Sequence, residues 1–172
     1  LGDVYKRQLS DSGLTISADA QEGSSAVTAK AVVSANSVNV YQVQNDLKIT
    51  ATAVGDQDRT ETVDEVEYTY SGSSTSTQAT AVGLELTGGS MVAEVGGTVT
   101  IEASTDWAGS NTATGIKAAE GAVIAVHSAG AMDISAEVGG TTTGETKILE
   151  GANGILANGS TMYYAADNAA IT

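Results

Sequence analysis

Apolar and polar residues alternate along most of this chain in short runs, and one run recurs. Its form is Φ-x-Ile-x-Ala, with Φ an aliphatic residue or Met. It reads Leu14-Thr15-Ile16-Ser17-Ala18, Leu47-Lys48-Ile49-Thr50-Ala51, Val99-Thr100-Ile101-Glu102-Ala103 and Met132-Asp133-Ile134-Ser135-Ala136. A degenerate copy, Ala169-Ala170-Ile171-Thr172, closes the sequence. Val99 and Ile101 alternate with Thr98, Thr100 and Glu102, the period of two that buries one face of a strand. No window sustains apolar residues at i, i+3, i+4 and i+7, so the pattern predicts strands throughout and no helix.

The spacing of the phrase organises the chain. Its Ile falls at positions 16, 49, 101, 134 and 171, giving intervals of 33, 52, 33 and 37. A fixed interval marks a repeat architecture. A second phrase accompanies the first. It reads Ala81-Val82-Gly83-Leu84-Glu85-Leu86, Ala113-Thr114-Gly115-Ile116-Lys117-Ala118 and Ala152-Asn153-Gly154-Ile155-Leu156-Ala157, with Ala29 to Ala35 as a copy that has lost its glycines. A third apolar run lies between them: Val38 to Val43, Met91 to Val95, Val123 to Val126 and Met162 to Ala165.

Each unit therefore reads as three short strands and a loop. In one unit the strands are Gly83 to Leu86, Ser90 to Val95 and Thr98 to Glu102, and the loop is Ser104 to Asn111. Gly88-Gly89 and Gly96-Gly97 are the corners, where Gly reaches backbone angles that cost other residues energy. The interval of 52 marks an insertion over Asp56 to Gln78. Insertions of this kind are tolerated because loop-closure entropy grows slowly with length. The fold expected is all-β, a right-handed parallel β-helix of about four to five coils spanning about 20 Å at the strand spacing of a sheet. A β-sandwich of unrelated strands is the alternative, but it does not predict an internal repeat.

Composition agrees with a thin core. Apolar residues make up 41% of the 172, yet aromatics only 4%, with no Phe and one Trp. Pro, which would remove a ladder donor from a central strand, is absent. The formal net charge of −14 sets the chain against nucleic acid and anionic membranes. Without Cys there is no disulfide framework and no thiolate chemistry. No apolar run approaches the length of a membrane-spanning helix. The opening residues 1–8 do not share the texture of the rest. They look like a translated artefact of assembled reads and are set apart from the solenoid expected over residues 9–172. The sequence stops inside a copy of the repeat, which suggests a fragment of something longer.

Gly96-Gly97-Thr98-Val99-Thr100-Ile101, Gly115-Ile116-Lys117-Ala118 and Gly154-Ile155-Leu156-Ala157-Asn158-Gly159-Ser160-Thr161 resemble the repeats of bacterial autotransporter passenger domains, which are pectin-lyase-like β-helices. Filamentous-haemagglutinin-like adhesins share such phrases. The resemblance covers roughly residues 12–172. It implies display at the bacterial surface or release from it. It also implies adhesion, self-association or biofilm roles, with host or neighbouring-cell surface molecules, or further copies of the chain, as partners. No binding motif transfers residue by residue.

Chemistry is sparse. The single His, His127, follows Ile124 and Val126, and alternation turns it to the outer face. No nucleophile elbow is present, and one His without Cys is a poor start for a zinc site. Single acids such as Glu85, Glu94, Glu102, Asp133 and Glu137 are scattered over the strands, unlike the clustered carboxylates of polysaccharide-cleaving β-helices. A structural and adhesive segment is the function expected, and a carbohydrate-active β-helix is the alternative. Thr98-Val99-Thr100 occurs once without aligned copies, so ice binding is discarded.

The insertion holds the remaining lead. Asp56, Asp58, Glu61, Asp64, Glu65 and Glu67 are dense enough to hold Ca²⁺, a cation that takes oxygen ligands. Neither EF-hand nor β-roll spacing is present, and a solvated charge run is the simpler reading. Val63, Val66, Tyr68 and Tyr70 suggest a hairpin of its own. The candidate partner-contact residues are Asp64, Glu65, Glu67, Tyr68 and Tyr70; no catalytic residue and no cofactor beyond that Ca²⁺ is expected.

Overall fold

The structure is a computed structural model, and it describes residues 5–21, 26–55, 59–63, 66–70, 78–106, 110–139 and 149–172. All elements among them are strands. The first circuit is β1 (Tyr5–Ser10), β2 (Leu14–Gln21) and β3 (Ala26–Ala35). The second holds β4 (Val38–Val43), β5 (Leu47–Val54), the hairpin strands β6 (Arg59–Val63) and β7 (Val66–Tyr70), and β8 (Gln78–Thr87). The third is β9 (Ser90–Val95), β10 (Val99–Asp106) and β11 (Ser110–Ala118). The fourth is β12 (Val123–Ser128), β13 (Ala131–Gly139) and β14 (Leu149–Ala157), and β15 (Thr161–Ala165) and β16 (Asn168–Ile171) begin a fifth.

Outside the hairpin, each strand pairs in parallel with its equivalents one circuit away. Sheet A runs β1-β4-β9-β12-β15, sheet B runs β2-β5-β10-β13-β16 and sheet C runs β3-β8-β11-β14. The chain is thus all-β, with three parallel sheets visited in the fixed order A, B, C, consistent with the β-helix expected. The recurring phrase lies in register throughout sheet B: Ile16 faces Ile49, Ile49 faces Ile101, Ile101 faces Ile134 and Ile134 faces Ile171. Tyr5 to Ser10 pair in register with Val38 to Val43. Residues 5–8, set apart on their texture, therefore belong to sheet A, because ladder pairing uses backbone groups and is indifferent to side-chain style.

The strands of sheets B and C run further than the sequence pattern predicts. β10 continues to Asp106 and β11 resumes at Ser110, so most of the expected loop Ser104 to Asn111 is strand. Likewise Gln78 opens β8 rather than closing the insertion. Two core clusters explain this. One holds Leu47, Ile49, Leu84, Leu86, Met91, Ile101, Ile116, Ile124 and Ile134 from all three sheets around a common interior. The other is built mainly of Ala: Ala51, Ala53 and Ala103 from sheet B against Ala79, Ala81 and Ala113 from sheet C. Where B and C converge most of the packed side chains are single methyl groups. Ala is a poor strand former by propensity, so this arm was not legible as strand from the sequence.

The glycine of the second phrase has a packing cause. A Cβ on Gly83 would stand 2.8 Å from the Gly115 carbonyl oxygen and 3.0 Å from Ile101 Cγ2. Gly115 meets the Gly154 oxygen and Ile134 Cγ2 in the same way, and Gly154 meets Ile171 Cγ2. The glycine column of sheet C is therefore the seat of the isoleucine column of sheet B. The corner from C to A imposes a different demand. It uses left-handed backbone at Asn36, Gly88, Gly89, Gly121 and Gly159, a region open to Gly and, among other residues, most readily to Asn. One group of polar exceptions to the core is tied together: Asn39 Nδ2 donates to Ser34 Oγ at 2.7 Å, which lies 2.6 Å from Ser37 Oγ.

Candidate functional site

The three corners of the stack differ. From A to B the chain turns at 11–13, 44–46, 96–98, 129–130 and 166–167, and from C to A at 36–37, 88–89, 119–122 and 158–160. Both corners are tied circuit to circuit. Leu14 N donates to Asp46 O, Gly97 N to Asn45 O and Gly130 N to Gly97 O at the first; Ser90 N donates to Ser37 O and Val123 N to Gly89 O at the second. Thr98 N adds a 2.7 Å bond to Asp46 Oδ1. The corner from B to C differs in the length of its connections, although Gly55 N donates to Asp106 O across circuits there too. Residues 22–25, 55–77, 107–109 and 140–148 all connect a B strand to a C strand. Every connection of markedly variable length therefore leaves from one edge of the stack.

The insertion singled out by its sequence belongs to this edge. β6 and β7 form an antiparallel hairpin in which Arg59 pairs with Tyr70, Glu61 with Tyr68 and Thr62 with Glu67. Glu67, Tyr68 and Tyr70 thus lie on β7, while Asp64 and Glu65, with Asp56 and Asp58, lie outside the described residues. No described group of three or more His, Cys, Asp or Glu side chains could hold a metal ion. No described helix is long and apolar enough to cross a membrane.

One charged cluster escaped the sequence reading. Val82, Thr114 and Glu85 are buried, although alternation turns Glu85 away from Leu84 and Leu86, and Val82 and Thr114 away from Ala81 and Ala113. Lys30 stands beside Val82 in the ladder, yet its Nζ reaches Glu85 Oε2 at 2.5 Å. Its side chain therefore reaches along the strand past the glycine position while remaining 36% exposed. Lys117 Nζ closes on Glu85 Oε1 from the other side at 3.1 Å. Burial pushes the Glu85 carboxyl up, but the two lysines outweigh it and hold it below its ordinary value. A carboxylate held ionised in this way is no proton donor. What it can do is tie three circuits together. Sequence separation hid the cluster, since Lys30, Glu85 and Lys117 meet only through register.

His127 lies on the outer face of sheet A, as alternation requires, with its Nδ1 3.0 Å from Glu94 Oε2 and both side chains 57% exposed. Two phenols face inward on the same sheet. Burial raises Tyr41, and it pushes Tyr164, which donates to Met162 Sδ at 3.1 Å, up to about 12. Glu102 and Asp133 lie in adjacent strands but pair with Ser135 and Thr100 rather than with each other. Comparison with protein-family models, with curated proteins and with solved structures finds no match to this chain.

Proposed function

We propose that the chain is a right-handed parallel β-helix acting as a display scaffold, an adhesive segment of a secreted or surface-exposed bacterial protein. Its contacts with host or neighbouring-cell molecules run through the connections at the B–C corner. The observation that carries this reading is the confinement of all connections of variable length to one corner while those at the other two are uniformly short. A rigid support with changeable loops on one edge is the arrangement on which binding surfaces are built. The right hand follows from the crossover rule for parallel strands.

The test is binding of the fluorescently labelled chain to a panel of cultured cells and to immobilised matrix glycans and proteins. A variant with residues 55–77 replaced by the sequence of residues 107–109 is the comparison. Loss of binding in the trimmed but folded variant supports display. Undiminished binding in that variant overturns the corner as the contact surface. Cleavage of an acidic polysaccharide by the intact chain would replace display with catalysis.

A further inference from the structure

The dipeptide Asn-Gly stands at Asn153-Gly154 and again at Asn158-Gly159. It is the pairing most open to attack of a backbone nitrogen on the carboxamide before it, because Gly has no side chain to block the approach and turns freely. Whether the two groups meet depends on the backbone. Asn153 lies in β14 and pairs with Thr114 in the ladder of sheet C. In an extended strand, with ψ about +115°, the following N–H points away from the Asn side chain. Gly154 is also walled in: a Cβ there would stand 2.7 Å from Thr172 O and 2.9 Å from Ile171 Cγ2.

Asn158 and Gly159 have none of these restraints. They lie just past β14, in the turn from sheet C to sheet A, and both are exposed. Gly159 has a φ of +65°. Asn158 N donates to Ala118 O and Gly159 O accepts from Gly121 N, but among the described residues no hydrogen bond holds Gly159 N. The matching turn in the first circuit, Asn36-Ser37, is covered by the next one: Ser37 O accepts from Ser90 N, and Asn36 Oδ1 lies 2.5 Å from the place of a Cβ on Gly88.

We infer that Asn158 is a site of self-modification, at which the folded chain converts its own carboxamide to aspartate and isoaspartate. Gly159 N attacks Asn158 Cγ. A bond forms between them, the Cγ–Nδ2 bond breaks, and the amide proton leaves with Nδ2 as ammonia. The product is a five-membered succinimide. Water then opens the ring at Cγ to give aspartate, or at the backbone carbonyl to give isoaspartate, whose main chain is one methylene longer. The only co-reactant is water. The new carboxylate arises close to Glu120, whose Cγ lies 3.1 Å from the place of a Cβ on Gly159, and like charges repel. The longer main chain strains a corner that is tied to the preceding circuit through Asn158 N, Gly159 O and Thr161 N. Both changes loosen β15 and β16, so the age of the molecule sets how firmly this circuit is held.

Peptide mapping by mass spectrometry tests the inference on the whole chain, held folded in warm neutral buffer, with fragmentation to place the amide-to-acid mass gain and enzymatic isoaspartyl methylation to count isoaspartate. Conversion at Asn158 is expected to run at least about tenfold ahead of Asn153, since Asn153 reacts only after the ladder opens locally. In denaturant the two Asn-Gly pairs should react at similar rates. Amide exchange in β15 and β16 should quicken as the parent chain ages and stay constant in Asn158→Gln, with thermal melts to show that the variant folds. Equal conversion at Asn153 and Asn158 in the folded chain would overturn the inference. So would an Asn158 amide as durable as that of Asn36, a difference that persists in denaturant, or exchange that quickens equally in Asn158→Gln.

Discussion

Gly115 and Gly121 show how one residue type answers two different demands. A Cβ on Gly115 would lie 2.6 Å from the Gly154 oxygen and 3.0 Å from both Ile134 Cγ2 and Ser135 O, so its cause is space. Gly121 has nothing within 4 Å but a φ of +79°, so its cause is backbone conformation. Gly115→Ala should cost about 1–3 kcal/mol through overpacking between two backbones, and Gly121→Ala about 1 kcal/mol through strain alone. Urea unfolding of both separates the two effects. Glu85 makes a third case. Its folded carboxyl titrates below the ordinary value of about 4.3. The stability it adds is therefore present above that pH and is lost as pH falls through the lowered value. Glu85→Gln should cost about 1–2 kcal/mol at neutral pH, and acid titration should bring variant and parent together as pH falls through that lowered value. At this scale the isoleucines were legible because their spacing repeats. The roles of Gly115 and Glu85 were not, because each depends on a neighbour in another circuit.

Among the elements, the B–C arm carries the sharpest expectation. Val54 pairs with Asp106 and Gln78 with Ser110, so residues 107–109 bridge the same gap that residues 55–77 bridge one circuit earlier. Replacing 55–77 by the sequence of 107–109 should leave the β-type circular dichroism intact and change the melting temperature by no more than a few degrees. A collapse of the fold would show that the hairpin supports the stack. Alternation revealed the strands of sheet A and the apolar start of each sheet B strand. It failed where Ala51, Ala53, Ala79 and Ala81 extend them, since a layer of methyl groups lacks the large β-branched residues that announce a strand. The hairpin itself was readable from Val63, Val66, Tyr68 and Tyr70.

For the molecule as a whole, burial of the core is greatest in the middle of the stack and falls toward β2 and β16. Ile49, Ile101 and Ile134 are fully buried, whereas Ile171 is 54% exposed and Met162 and Tyr164 are half-buried. Amide exchange should therefore be slowest in β5, β8 and β10 and fastest in β15 and β16, because protection follows local burial. Uniform protection would show that the stack opens as one unit. The repeat count and the sheet order could be read from sequence because each circuit is nearly the same problem solved again. The outer column Val40, Val92, Ala125 and Tyr163 of sheet A could not, since it forms only through register between circuits.

The confinement of long connections to one corner has a consequence for avidity. Successive exits from β2, β5, β10 and β13 are separated by about one strand spacing, roughly 4.8 Å. On the proposed reading, a ligand held by one connection lies within reach of the next, and the second contact forms at the effective concentration of a tethered pair. Contacts too weak to hold singly can then hold together, like teeth of a comb. Adding a circuit adds a tooth without redesigning those already present.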